Sequence, residues 1–462
     1  MATNRLIMRP GIRVATTDVL NTVVTAAPAG ATIVLMPGTH RLATCTPKAG
    51  QRIYGMTGAV MNGSDLLESW TLDTGKYRHQ VTLGTGNAGG DCRGGGTLCH
   101  GPEDVFMDDV KLTPVGSLGA VVSGTFYVDR AATRVWIADN PSGHVMEWSR
   151  ITRAIVGTNA NVVLGNLVVE KYAPGAQFGA IHGSGSGTGW RVDDCVTRYC
   201  HGIGIRMWTD WVVRTHYSHH NGQLGFGAQG DNGVWDGGEI SYNNTSDYEP
   251  NWEAGANKNV QTTGFTVKNA WVHHNFGYGL WCDIDNYGAL YDGNTVEDNE
   301  KLGILHEVSW DAIIRNNIVK RNGNVSPADP NVGGAGIAVS ASPDVEIYNN
   351  VLTDNCSGII FFQQNRGVGL TGPRAGDPHE TENMYVHDNQ SINTGVSAPA
   401  EVNSYAGGWQ DVGDLTYFTS RNNRFENNTY TGNVSGGFKW LNSTLTFAQW
   451  QAALQDLTGS FT

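Results

Sequence analysis

Asn294-Thr295-Val296-Glu297-Asp298-Asn299, Asn317-Ile318-Val319-Lys320-Arg321-Asn322 and Asn350-Val351-Leu352-Thr353-Asp354-Asn355 are one phrase written three times. After each comes a turn, then a glycine and an aliphatic residue: Gly303-Ile304, Gly336-Ile337, Gly358-Ile359. Gly204-Ile205, Gly225-Phe226 and Gly279-Leu280 are earlier members. Asn269 and Asn294 lie 25 residues apart, Asn294 and Asn317 lie 23. A period of about 24 with short alternating segments, no helical periodicity and Gly/Asn turns reads as one coil of a β solenoid per repeat. The recurring asparagines are expected to stack from coil to coil, satisfying backbone groups at each bend. A leucine-rich repeat is the rival architecture, but its Leu-x-x-Leu-x-Leu frame is missing.

Working outward, Thr17 to Val24 reads as a short helix running into a first strand and turn, Gly30 to Thr39. Thr446-Phe447-Ala448-Gln449 is a capping-box start. Phe447, Trp450, Leu454 and Leu457 form the apolar face expected to seal the last coil. The repeat lapses between residues 70 and 150, where Thr125 to Asp129 and Arg134 to Ala138 read as a hairpin in an inserted unit. The expected organisation is therefore 1–70 N-terminal cap and first coils, 71–150 inserted β unit, 151–440 main coils, 441–462 capping helix and tail. Pro327 to Gly334 and Arg366 to Glu380 read as loop insertions.

Composition agrees. The 462 residues include 61 glycines and 15 prolines, with 16% charged and 40% hydrophobic residues, as in a turn-rich β protein with a continuous core. A net charge of -13 and no basic stripe disfavour nucleic acid. That charge also makes a neutral glycan an easier partner than a polyanion. No stretch approaches the ~20 apolar residues of a membrane span. Met1-Ala2-Thr3-Asn4-Arg5-Leu6 lacks a secretory pattern, so the expectation is a virion component or a trimmed secreted enzyme, acting outside cells. Of seven cysteines, Cys92 and Cys99 are the pair placed for a local disulfide; the others read as buried thiols.

These residues resemble the pectate-lyase-like right-handed parallel β-helix superfamily. The opening Gly30-x-Thr32-Ile33-Val34-Leu35-x-Pro37-Gly38-Thr39 and the asparagine-bearing coils carry that likeness. A narrower likeness, to β-helix repeat proteins of actinobacteria and their phages, rests on three motifs. They are Trp252-Glu253-Ala254-Gly255 with Lys258, Gly279 to Asn286, and Gly303 to Ser309. The resemblance implies an all-β fold: a right-handed parallel β-helix solenoid with N- and C-terminal caps and a small inserted β unit. It implies polysaccharide lyases, glycoside hydrolases, uronan epimerases or phage tailspikes as the functional class. Tailspikes of this fold often form homotrimers and sit among other phage tail proteins.

Aligned on their strand-opening glycines, the coils place Gln229, Asp283 and Glu307 four residues after Gly225, Gly279 and Gly303. Lys258 stands 11 residues before Asn269, as Asp283 stands 11 before Asn294. The expected outward column is thus Gln229, Lys258, Asp283, Glu307, with Asp285 further along the same strand. Leu280, Cys282 and Ile284 should point inward, while Trp281, Asp283 and Asp285 point outward. Neighbouring parallel strands lie about 4.8 Å apart, so Asp283 and Glu307 should sit on the order of 5 Å apart, near the spacing of retaining glycosidase carboxylates. Like charges that close raise one pKa and leave an acid beside a base.

Trp281, Trp252 and Trp310 are expected as aromatic faces for sugar rings, with Glu253 beside them and Arg206 and Trp208 as a distal subsite. A solvated ion-pair ladder would give the same column. In a hydrolase Glu307 is the acid and Asp283 or Asp285 the nucleophile or base. In a uronan lyase Lys258 abstracts the proton and the carboxylates hold Ca²⁺; the hydrolase requires no cofactor and no metal site. Binding of host surface glycan by a phage tail protein with little catalysis is the alternative. Asp377-Pro378-His379-Glu380 resembles a motif of alginate epimerases, and His306 falls on an inward position where a polar residue needs a reason.

Overall fold

The computed structural model describes residues 10–84, 88–323, 334–394, 404–432 and 437–462. The leading Met1 to Leu6 and most of the Pro327–Gly334 insertion lie outside the described residues. The chain divides into two compact units. One holds residues 1–206, 216–226 and 244–253; the other holds 207–215, 227–243 and 254–462.

In the second unit each turn of chain contributes three short strands, and each strand pairs in parallel with its counterpart one repeat later. Thr266–Lys268, Tyr287–Asp292, Trp310–Arg315, Val345–Tyr348, Tyr385–His387 and Arg424–Glu426 form one stack. Trp271–His273, Thr295–Glu297, Ile318–Lys320, Val351–Thr353, Gln390–Asn393 and Thr429–Gly432 form the next. Gly255–Thr263, Leu280–Cys282, Ile304–Glu307, Ala335–Ser340, Ser357–Gln363 and Ser404–Gln410 form the third, which carries the candidate site.

Asparagine ladders run along this unit as the repeat phrase predicts. Asn294 Nδ2 donates to Asn317 Oδ1 at 3.0 Å, Asn317 to Asn350 at 2.9 Å, Asn350 to Asn389 at 2.9 Å and Asn389 to Asn428 at 3.0 Å. A second ladder joins Asn275, Asn299, Asn322 and Asn355 at 2.8–3.0 Å. The residue before each rung has a positive φ, as at Gly293, Asn316, Asn349, Asp388 and Asn427. Glycine, Asn and Asp adopt that left-handed conformation at least cost, which is why the repeat spells Asn-Asn or Asp-Asn.

The first unit repeats the coil pattern, pairing Ile155–Gly157 with Gly179–Gly183 and that strand with Ile203–Met207. Leu20–Ala26 forms the expected short helix. Thr125–Asp129 and Arg134–Ile137 form the expected hairpin in a mainly antiparallel five-stranded sheet, and Ser64–Leu66 belongs to a second, antiparallel sheet. These sheets enclose their own core of Leu67, Val105, Phe126, Val135, Ile137 and Trp148. Cys92 and Cys99 are disulfide-bonded and the other five cysteines are buried thiols.

At the C-terminus the Thr446–Gln449 capping box forms. The expected apolar face is corrected: the helix stops at Ala452, and Leu454 and Leu457 point to solvent. Trp450 alone is fully buried, stacked on Phe438 at 5.2 Å. Leu454 has a positive φ, so the chain leaves the helix before the pattern completes. No helix of the described residues is long and apolar enough to cross a membrane.

Candidate active site

The third stack ends its strand early in one coil, and the site grows from that. Leu280–Cys282 is only three residues long. Ile284 and Asp285 have φ of 62° and 57°, so the strict alternation read from sequence fails after Cys282. Ile284 is 42% exposed, not inward, whereas Asp283 and Asp285 are buried.

Lys258 differs from the expected column by two positions. Asn259 pairs with Cys282, so Lys258 lies opposite Trp281 rather than Asp283. Its ammonium sits 4.0 Å from the Trp281 ring centre and reaches on to Asp283 Oδ2 at 2.8 Å. Counting back from Asn269 misses this because Asn269 aligns with Gly293 rather than Asn294, and because the later coil has one residue more before the next strand. Gln229 is turned to Gln261, to which its amide donates at 2.9 Å.

Glu307 follows His306, which pairs with Cys282, so it stands in the Asp283 position one coil on. Burial and the Asp283 charge push the Glu307 carboxyl up to about 7, against opposing pulls from Arg366 and Lys258. Arg366 ion-pairs with Glu307. That guanidinium comes from the insertion 366–380, which packs onto the site.

Asp285 anchors the insertion. Its Oδ2 accepts from Leu370 N and Thr371 N at 2.9 Å and from Thr371 Oγ1 at 3.1 Å. Its Oδ1 meets His379 Nε2 at 3.1 Å. Both oxygens of Asp285, a candidate nucleophile or base from sequence, are thus engaged in anchoring the insertion. Burial holds the His379 imidazole below its ordinary pKa, with Asp285 opposing. His379 stacks on Trp310, 4.3 Å between ring centres.

The tryptophans are corrected too. Trp281 is 3% exposed and packs with Leu302, Leu305, Ala338 and Ile360; Trp310 is 1% exposed beneath His379. Neither offers a free face to a sugar. In the first unit, half-buried Trp252 packs on Gly90, and Glu253 Oε2 accepts from Gln177 at 2.7 Å. Arg206 Nη1 donates to the Gln177 carbonyl at 3.3 Å. Trp208 is half-buried and lies in the second unit. His306 faces the core, fully buried, and burial drives its pKa down to about 3, so it is a neutral core residue.

Calcium does not fit this donor set. Asp283 faces an ammonium, Glu307 a guanidinium, and Asp285 four hydrogen-bond donors, leaving no convergent oxygen cage. Beside the site opens a cleft of about 810 Å³, lined by Gln364, Asn365, Arg366, His379, Asp414 and Tyr417 among others. Arg366 thus has the carboxylate at one side and the cleft at the other. Sequence reading singled out the insertion and His379 but had no means to bring Arg366 to Glu307, 59 residues earlier.

A family model described as a right handed beta helix region matches residues 179–328 and 293–375. The chain is a right-handed parallel β-helix protein. This β-helix aligns over 92% of its length with 84% of XylC, solved in complex with xylose, at 13% identity and a TM-score of 0.69. It aligns over 92% with 94% of the A-module of the mannuronan C-5 epimerase AlgE4 of Azotobacter vinelandii, at 14% identity and a TM-score of 0.52. Likeness at that identity establishes the fold. No curated protein matches the sequence of this β-helix.

Proposed function

We propose that the protein binds a polysaccharide and cleaves its glycosidic bonds, with Glu307 as proton donor and Asp283 as the paired carboxylate. The observation that carries this reading is the split between two acids on adjacent coils. Glu307 is held up to about 7, while Asp283 is locked to Lys258 at 2.8 Å. A protonated Glu307 gives its proton to the departing glycosidic oxygen. The Asp283 carboxylate, paired with Lys258, attacks the anomeric carbon or takes a proton from the water that does. The polar cleft beside Arg366 suits a hydroxyl-rich chain, and XylC supports a sugar ligand for this fold.

The test is product release from a panel of glycans, reading reducing ends and unsaturated-product absorbance for wild type and Glu307→Gln. Reducing ends without absorbance, lost in the variant, support the hydrolase. Absorbance would redirect the assignment to a lyase with Lys258 as base. One observation favours a second reading, glycan binding of a tailspike kind without turnover: Arg366 already occupies Glu307. Binding by both proteins with no product from any glycan would select it.

A further inference from the structure

The insertion 366–380 is pinned along most of its length, and Arg366 reaches from its first residue to the proposed proton donor. Asp285 fixes Leu370, Thr371 and His379. Arg374 pairs with Asp344 at 3.1 Å, and Glu380 pairs with Arg421. Val368 and Pro378 form an antiparallel bridge, and His379 N donates to the Gly367 carbonyl at 3.0 Å. Arg366 stands just before that bridge, with its side chain 38% exposed. Gly367 beside it has a φ of 78° and nothing within 4 Å of where a Cβ would stand, so the space next to Arg366 is open.

The contact opposes the role of its partner. Arg366 Nη2 donates to Glu307 Oε1. An oxygen that accepts from a guanidinium is favoured as a carboxylate, whereas a general acid must carry a proton. Around Glu307, Asp283 presents a negative charge and Lys258 a positive one, Asp285 and His379 pair with each other at 3.1 Å, and the next coil places the uncharged Ser340 in register. Burial and Asp283 favour the protonated carboxyl, while Arg366 and Lys258 favour the ion. Lys258 is buried and locked to Asp283 at 2.8 Å. Arg366 is the more exposed cation, and a pair with so exposed a partner is held weakly because water competes for it.

The cleft supplies a second place for the same guanidinium. Arg366 lines it together with Glu380, Asp411 and Asp414. Glu380 and Asp414 are already paired with Arg421. Asp411 is exposed and in no ion pair among the described residues, and its N–H donates to the Gln363 carbonyl at 3.1 Å. A hydroxyl-rich chain in the cleft also presents oxygen acceptors to Arg366.

We propose that Arg366 is a displaceable latch on Glu307. Without ligand it favours the Glu307 carboxylate. A glycan entering the cleft draws the guanidinium onto its own hydroxyls and toward Asp411, and Glu307 then takes up a proton from solvent. Arg366 is thus a positioning residue that readies the proton donor when the cleft is filled. This rests on the function proposed above, and it reconciles a proton-donor role for Glu307 with its pairing to a guanidinium.

The test follows the Glu307 carboxyl by carbon NMR against pH in the full chain, for wild type, Arg366→Gln and Arg366→Lys. Removing the guanidinium should raise the Glu307 titration by about one unit, and the lysine should retain part of the lowering. Xylohexaose, cellohexaose and hexagalacturonate are then added in turn. At least one should raise the wild-type titration toward that of Arg366→Gln and leave the variant nearly unmoved. A merely structural Arg366 would change melting without moving either titration. The proposal is overturned if wild type and Arg366→Gln titrate alike, or if no probe raises the wild-type titration. Product release plays no part in this readout, so the two ideas fail separately. Cleavage without a titration shift removes the latch, and a shift without product removes the cleavage.

Discussion

Lys258 and Asp283 form an ion pair of 2.8 Å in which the side chains are 7% and 9% exposed. Buried charges of this kind are stable only as a pair, because either one alone would keep its desolvation penalty and lose its compensation. Lys258→Met should therefore destabilise the protein by about 3–5 kcal/mol. Lys258→Met with Asp283→Asn should recover much of that loss. Denaturant unfolding of the single and double variants checks both expectations.

The same pair governs the neighbouring acid. Because Lys258 lowers the Glu307 pKa and Asp283 raises it, Asp283→Asn should move the Glu307 carboxyl toward the ordinary carboxylate range. The Glu307 carboxyl should titrate lower by on the order of one unit in that variant, read directly by NMR because Asp283→Asn also removes the proposed catalytic partner. An unmoved titration would show that Asp283 does not hold the Glu307 carboxyl up.

Glu307 also links stability to pH. Its folded pKa, about 7, lies above its ordinary value of 4.5. A raised carboxyl binds its proton more tightly in the folded state. Its contribution is therefore fully present below about pH 4.5 and is lost as pH rises through about 7. Wild type should lose on the order of 1–3 kcal/mol relative to Glu307→Gln across that window. Melting temperatures of both proteins from pH 4 to 8 measure the difference.

Asp285 should act on the insertion rather than on the fold. Asp285→Ala removes the acceptor for Leu370 N, Thr371 N, Thr371 Oγ1 and His379 Nε2. Amide exchange at Leu370 and Thr371 should quicken by about tenfold or more, since bonds to a charged acceptor contribute about 1.5–3 kcal/mol. Exchange in the Asn294–Asn317 rungs should not change.

A ladder asparagine should be costlier to remove from the middle than its exposure to any ligand would suggest. Asn317→Ala leaves Asn294 Nδ2 and Asn294 N without their acceptor, and Asn350 Oδ1 without one of its donors. Buried groups left unpaired cost about 1–3 kcal/mol each, so about 3 kcal/mol in total is expected from chemical unfolding.

Much of this was legible in the chain itself. Asn294, Asn317 and Asn350 announce the ladder because a coil repeats one local geometry, with a left-handed residue before a buried amide, and local geometry is written in adjacent residues. Asp283 and Glu307 could be aligned for the same reason, each standing four residues after a strand-opening glycine. Lys258 could not be placed, because its register depends on turn length and only the pairing of Asn259 with Cys282 settles it. Trp281 and Trp310 read as exposed because alternation tells which face a residue takes, not what packs over that face. The cover is Leu305, Ala338 and Ile360 for one and His379 for the other. Sequence determined the coil, the ladder and the acid pair; the tertiary structure decided which acid is buried, which is an anchor, and where Arg366 lands. The physical reason is that periodic contacts are fixed by spacing along the chain, whereas an inserted loop finds its place only by long-range packing and charge.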